Sequence, residues 1–274
     1  MKVSNQSCSA DAQDEVLDEL FKFLKKNHSH NHALQLISLK SSILPFTTKK
    51  EKIRSLLIDA ANTQSRPKMD TLEPFWSKTA EEKEDTFSSA KKFAEFLKKE
   101  ACSKETPAGL LEGMFFSLYM IPGFGEKTAA LFIKNLIYLH HKEIGYQERR
   151  FKIWSDRGLQ CDNGDRIYIP VDSVIKHIFE GTNVGSNFKK INKSIHDFMA
   201  AKEYPIIDMV YWDDLWYWGF FTQHGNTENR TTVLNRSKFM TWKNSSPESY
   251  KQVEAPANEF IKIVKKLKKI CRRS

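Results

Sequence analysis

The sequence predicts a mainly helical protein that carries one small inserted β-hairpin. Three observations support this. Apolar residues recur at i, i+3 and i+4 over much of the 274-residue chain. Two apolar helical runs, 110–118 and 131–137, are joined only by a short turn holding Pro122, Gly123 and Gly125. Between residues 142 and 168 the helical period stops, and two apolar segments flank a polar loop.

In chain order, residues 1–12 are polar and carry no predicted element. Val16, Leu17, Leu20, Phe21 and Leu24 mark the buried face of a first helix. It ends near Lys25-Lys26-Asn27, where cations suit the negative end of a helix dipole. His28, His30 and His32 then fall in a polar stretch. Three histidines could ligate a metal, but no nearby acid or cysteine completes a set, so a solvated loop is expected. Ile53, Leu56, Leu57 and Ala60 mark a second helix, with Thr47 or Thr48 as its cap. Residues 62–78 contain two prolines and little periodicity, and read as a long connection.

Thr79 and Glu82 have capping-box spacing for a helix that carries Phe87, Ala90, Ala94 and Leu97 on one face. Thr106-Pro107 starts the helix that enters the turn, with proline at its first position. The next helix, 126–139, is apolar almost all round, the mark of a central buried helix. Phe151 to Trp154 and Arg166 to Ile169, around Asp162-Asn163-Gly164-Asp165, predict the inserted hairpin. Further helices follow after Asp172 (Val174, Ile175, Ile178, Phe179), over 187–201, and over 256–271. Pro205 leads into an aromatic stretch from Tyr211 to Phe221.

Composition limits the functional classes. A hydrophobic content of 40%, with 19 Phe and 6 Trp, is ample for a core, and a net charge of +9 favours a polyanionic partner. The four cysteines lie far apart with no C-x-x-C, so neither a zinc finger nor a disulfide framework is indicated. No run of 18 apolar residues and no signal-peptide pattern occurs, so a soluble, intracellular protein with no membrane partner is expected. P-loop and G-x-S-x-G patterns are missing. His141 and Glu143 form an H-x-E without the Pro-Cys-x-x-Cys that a zinc deaminase needs.

The turn itself is built for an anion. Pro122 ends the incoming helix, and two glycines one residue apart leave backbone amides uncovered at the positive end of the next helix. The segment Ile121-Pro122-Gly123-Phe124-Gly125-Glu126-Lys127-Thr128-Ala129 resembles the helix-hairpin-helix of the base-excision DNA glycosylases, whose pattern is apolar-Pro-Gly-apolar-Gly-x-Lys-Thr-Ala. Ile169-Pro170-Val171-Asp172 is similar to the Val-Pro-Val-Asp segment that carries the catalytic aspartate of that family. Asp213-Asp214-Leu215-Trp216-Tyr217-Trp218-Gly219 resembles its closing helix. The resemblance covers residues from about 105 to 225, and the 45 positions from Lys127 to Asp172 are more than the family usually shows.

The resemblance implies a two-lobed helical HhH-GPD DNA glycosylase fold with a DNA-binding cleft between the lobes. One lobe would be 105–200, and the other 13–104 with 201–274. It implies Lys127 as the nucleophile that captures C1′ and forms a Schiff base, and Asp172 as the carboxylate that stabilises the positively charged sugar. Cation-disfavouring ends of helix dipoles suit a free amine at Lys127. The other reading of Lys127, a surface cation on phosphate, stays open, as does Asp172 serving as an N-cap besides its catalytic role. Gly123, Phe124, Gly125 and Thr128 would hold the DNA backbone.

A flipped base needs stacking walls and polar partners. Leu131, Trp212, Asp213, Asp214, Trp216 and Gln223 are the residues assigned to that pocket, with Trp218 and Phe220 as further walls. Only Cys271 lies where some relatives hold an iron–sulfur cluster, so no cluster, other cofactor or metal is expected. The expected partner is double-stranded DNA carrying a damaged base, bound by a monomer. The substrate that fits best is 8-oxoguanine, on a branch like the archaeal-type enzymes. An oxidised pyrimidine and a non-catalytic DNA-binding module remain the alternatives. The basic helix at the C-terminus reads equally as a contact to DNA backbone or as a solvated face.

Overall fold

The computed structural model describes residues 4–64, 69–102, 109–154, 159, 161, 164–226, 229–241 and 247–271. They are mainly helical, and the only strand pair among them is Gln223–His224 (β1) with Thr231–Thr232 (β2), antiparallel. No helix among the described residues is long and apolar enough to cross a membrane. The chain divides into two compact units, one of residues 1–32 with 171–274 and the other of residues 33–170.

The 33–170 unit is built on α7 (Glu126–His140), which is buried along almost its whole length from Thr128 to His140. α3 (Lys49–Asn62) packs on it through Ile53, Leu56 and Leu57, each fully buried. α6 (Leu110–Met120) packs on α7 from another side, and α5 (Ala90–Glu100) packs on α6. Burying each such large aliphatic or aromatic side chain stabilises by roughly 1.5–3 kcal/mol. These contacts explain why the unit boundary departs from the one read in the sequence. Residues 33–104 belong with α6, the Pro122-Gly123 turn and α7, whereas 171–200 belong with the C-terminal segment.

In the other unit α1 (Ser4–Lys26) lies along α12 (Pro247–Cys271), with Leu17, Leu20 and Leu24 of the one and Phe260, Val264 and Leu267 of the other buried. α8 (Ser173–Phe179) packs against α10 (Asp214–Phe221). α9 (Phe188–Ala201) starts at an Asn187 cap and contacts a 3₁₀ stretch, Ile206–Asp213. α11 (Arg236–Met240) joins this group.

Several predicted elements differ in the structure. His28, His30 and His32 lie on α2 (His28–Ile43), not in a solvated loop. Their rings pack against Tyr211, Trp218 and one another, and contacts of that kind hold a polar stretch in a helix. Residues 62–78 are not one long connection, because α4 (Met69–Glu81) forms with Pro74 inside it. Leu72, Phe75 and Thr79 are buried on one face of α4, and that packing outweighs the backbone bond which proline removes. Thr79 therefore sits within α4, its hydroxyl donating to Trp76 O, and Ser89 caps α5 instead. Thr48 does cap α3, with a reciprocal capping box to Glu51. Thr106-Pro107 lies outside the described residues. α12 begins nine residues before Pro256, the predicted start of this helix.

The predicted hairpin over 151–169 is also corrected: no strand forms among its described residues, and Asp162-Asn163 lie outside them. Phe151, Ile153 and Trp154 are all buried, so they lack the alternation of a half-exposed strand. Their backbone and ring donors are met by single partners, Ile153 N–H by His140 Nε2 at 3.3 Å and Trp154 Nε1–H by Phe87 O at 2.9 Å. Asp165 is committed as well. Its Oδ1 accepts from Leu111 N at 2.9 Å and Glu112 N at 3.1 Å, and so caps α6 from 54 positions along the chain. The cap residue of α6 itself, Gly109, has no side chain to do this.

Candidate functional site

The Pro122-Gly123 turn has the geometry its sequence demands. Ile121 O accepts from Phe124 N at 3.1 Å, closing a four-residue turn with Pro122 and Gly123 at its centre. Gly123 has φ +96°, as the third position of a type II turn requires, and a Cβ there would lie 2.6 Å from Leu72 Cγ. Gly123 O accepts from Gln64 Nε2 at 3.3 Å, so the turn is tied to the end of α3.

Gly125 then caps α7 with ordinary extended dihedrals (φ −111°, ψ 170°) and its carbonyl accepts from Ala129 N at 3.0 Å. A Cβ at Gly125 would meet nothing within 4 Å. Neither backbone strain nor crowding within the unit demands glycine at this position. Having no side chain leaves the first-turn amides of Glu126, Lys127 and Thr128 without a cap from their own N-terminal residue. An anion approaching the open side would meet those amides at the positive end of a 15-residue helix.

The hairpin side chains assigned to DNA contact are used differently. Phe124 is buried, its ring edge-on to Phe75 (5.6 Å) and Trp76 (5.9 Å), and its amide serves the turn. Thr128 is buried. What these two residues can offer a ligand is the Thr128 amide, not their side chains. Lys127 is half-buried, and its Nζ donates to Thr63 O at 3.2 Å, the C-cap carbonyl of α3. The negative end of one helix thus holds the amine beside the positive end of another. Leu131, one turn on, is half-buried.

Asp172 lies in the other unit and caps α8 as predicted. Its Oδ1 accepts from Val174 N at 2.8 Å and Ile175 N at 3.0 Å, and neither bond uses Oδ2. The carboxylate is half-buried. Neighbouring residues fix the helix it caps. Gly219 of α10 lets the two helices meet, since a Cβ there would lie 2.7 Å from Val174 Cγ1 and 2.9 Å from Ile178 Cδ1. Gln223 is buried, and its Nε2 donates to Val174 O at 3.0 Å, so its amide positions α8. Arg230, which the sequence reading passed over, donates from Nη1 to Ser173 O at 2.7 Å and to Gln223 Oε1 at 3.3 Å. An arginine in a polar loop carries no local signal of such a role.

The residues assigned to a base pocket separate into interior and surface. Trp212 is fully buried, stacked on Phe21 at 5.7 Å with Nε1–H on Met199 Sδ at 3.3 Å, and belongs to the packing of its unit. It is not a pocket wall. Asp213 is buried too. Asp214 is entirely buried: its carboxylate faces His28 Nδ1 at 3.0 Å and accepts from Asn31 Nδ2. Burial pushes its pKa up to about 6 against the opposing pull of His28 and Asn31. Trp218 is buried edge-on to Phe23 (5.3 Å) and His30 (5.5 Å). Trp216 is half-exposed and stacks on Phe220 at 5.4 Å, and Lys238 Nζ sits 4.8 Å over the far ring. Of the assigned walls, the Trp216–Phe220 pair keeps aromatic surface toward solvent.

Among the described residues, no group of three or more His, Cys, Asp or Glu is placed to hold a metal ion. No protein-family model, curated protein or solved structure matches the chain. The resemblance to the helix-hairpin-helix glycosylases therefore stands on the quoted residues alone.

Proposed function

We propose that this chain is a base-excision DNA glycosylase with abasic-site lyase activity, of the helix-hairpin-helix class and with the HhH-GPD fold. The substrate that fits best is 8-oxoguanine in duplex DNA, with an oxidised pyrimidine as the alternative. One observation carries the reading: a lysine in the first turn of a helix whose glycine cap leaves the amides open to an anion. In this reading the amides of Gly125 to Thr128 take a phosphate oxygen and bring Lys127 Nζ to the adjacent deoxyribose.

Lys127, uncharged, attacks C1′, and the C1′–N bond breaks with its electron pair going to the base. The base takes a proton as it leaves. In this reading Asp172, whose Oδ1 accepts from the α8 amides, is the carboxylate that stabilises the cationic sugar. Ring opening then gives the Schiff base. Loss of a C2′ proton expels the 3′ phosphate by β-elimination, and water releases the enzyme.

The experiment is borohydride trapping on an 8-oxoguanine duplex. Wild-type protein is expected to give a covalent adduct that Lys127→Gln does not give. Base release without an adduct would assign a glycosylase that uses Asp172 and water. An adduct only with an oxidised-pyrimidine duplex would change the substrate and keep the chemistry. Binding with neither adduct nor base release would leave a non-catalytic DNA-binding module and refute the proposal.

A further inference from the structure

The solvent side of α12 carries a row of lysines that the fold does not use. At helical spacing Lys251, Lys262, Lys265 and Lys269 fall on one exposed stripe, with Ala255 and Asn258 between them, and Glu254 and Glu259 lie on its flanks. Among the described residues, none of these four lysines has an ion-pair partner. Two neighbours show what a structurally engaged lysine looks like here: Lys266 pairs with Glu19 at 2.6 Å, and Lys268 Nζ donates to His177 O at 2.7 Å.

A face adapted only to water would intersperse acids at i+4, because like charges at that spacing repel and opposite ones attract. From Lys262 to Lys269 every exposed position is a lysine. Their position in the last turns suits the helix dipole. That accounts for Lys268 and Lys269, but not for Lys262 or Lys251.

We infer that this stripe is a second DNA-backbone contact, which grips phosphates of undamaged duplex independently of the hairpin and of any lesion. From Lys262 to Lys269 the helix rises by about 10 Å, close to the rise over four successive phosphates, three steps of about 3.4 Å, along one strand. A lipid surface fits less well. The apolar side of α12, with Phe260, Ile263, Val264 and Leu267, is buried within its own unit and leaves no face to enter a bilayer. The inference rests on the reading of the chain as a DNA-binding protein and not on the chemistry of Lys127.

The test is fluorescence anisotropy with a labelled, undamaged duplex from 50 to 200 mM salt. Lys262→Gln/Lys265→Gln/Lys269→Gln is expected to flatten the dependence of log Kobs on log [salt] by about 2 to 3, near 0.9 per lost contact. The matching triple arginine variant is expected to keep the wild-type slope. An unchanged slope in the glutamine variant, or no duplex binding by the wild type, overturns the inference. So does lysine-dependent binding to phosphatidylserine vesicles with the duplex slope unaltered. A slope change with neither borohydride adduct nor base release would keep this inference and refute the glycosylase. An adduct with an unchanged slope would do the reverse.

Discussion

Asp165 makes the sharpest stability prediction. α6 leads into the Pro122-Gly123 turn, its own cap residue is Gly109, and the acceptor for its Leu111 and Glu112 amides is a carboxylate oxygen from a distant segment. Asp165 is buried, so Asp165→Ala would leave two amides unpaired with restricted access to water. A hydrogen bond to a charged group is worth about 1.5–3 kcal/mol, and loss of a helix cap costs about 0.5–2 kcal/mol. These two figures describe overlapping interactions, so a total of about 2–4 kcal/mol is expected.

Asp165→Asn keeps an acceptor oxygen and loses the charge, for a cost of about 1 kcal/mol. Urea titration followed by circular dichroism would measure both. The structure also predicts coupling. A Cβ on Gly109 would lie 1.9 Å from Asp165 Oδ1 and 2.7 Å from Asp165 Cα, so Gly109→Ala should be costly in the wild type and less so, though still costly, in the Asp165→Ala background, where the side-chain clash is gone and the backbone one remains. Additive costs, or an Asp165→Ala protein within about 0.5 kcal/mol of wild type, would refute the assignment of this carboxylate as the α6 cap.

The two hairpin glycines should behave differently. Gly123→Ala, at φ +96° and against Leu72, should cost about 1–3 kcal/mol in thermal or urea melts. Gly125→Ser, with ordinary dihedrals and open space, should stay within about 0.5 kcal/mol of wild type yet weaken DNA binding in anisotropy. Gly219→Val should cost about 1–3 kcal/mol and slow adduct formation, since it forces α8 away from α10.

Acid should act oppositely in the two units. Burial lowers His140 from 6.5 to about 3, so the unfolded chain binds the extra proton and the 33–170 unit loses stability as pH falls from about 6.5 towards 3. Asp214 is raised from 3.8 to about 6, so its folded form takes up a proton first. That contribution grows as pH falls from about 6 to 3.8 and is lost as pH rises through 6. Hydrogen exchange at pH 7 and pH 5, resolved by unit, would check both, with His140→Gln flattening the first response and Asp214→Asn the second.

The sequence alone determined the local elements whose signals lie within a few residues. The threonine cap of α3, the Pro122-Gly123 turn, the α7 helix and the Asp172 cap each follow from residues within four positions of the backbone groups concerned. Lys127 and Asp172, on which the proposed chemistry depends, were singled out by the resemblance of the segments around them. Local signals failed where distant partners decide the outcome. The 28–32 histidines are helical because Tyr211 and Trp218, far along the chain, pack on them. Asp165 looks like a turn residue until α6 is beside it, and Arg230 until Ser173 is. An aromatic run cannot tell in advance which rings are interior, because Trp212 and Trp216 differ only in which side of the 3₁₀ stretch and α10 meets other helices. Capping and turn geometry are short-range and written in adjacent residues, whereas burial and long-range hydrogen bonds exist only once separate segments have been brought together.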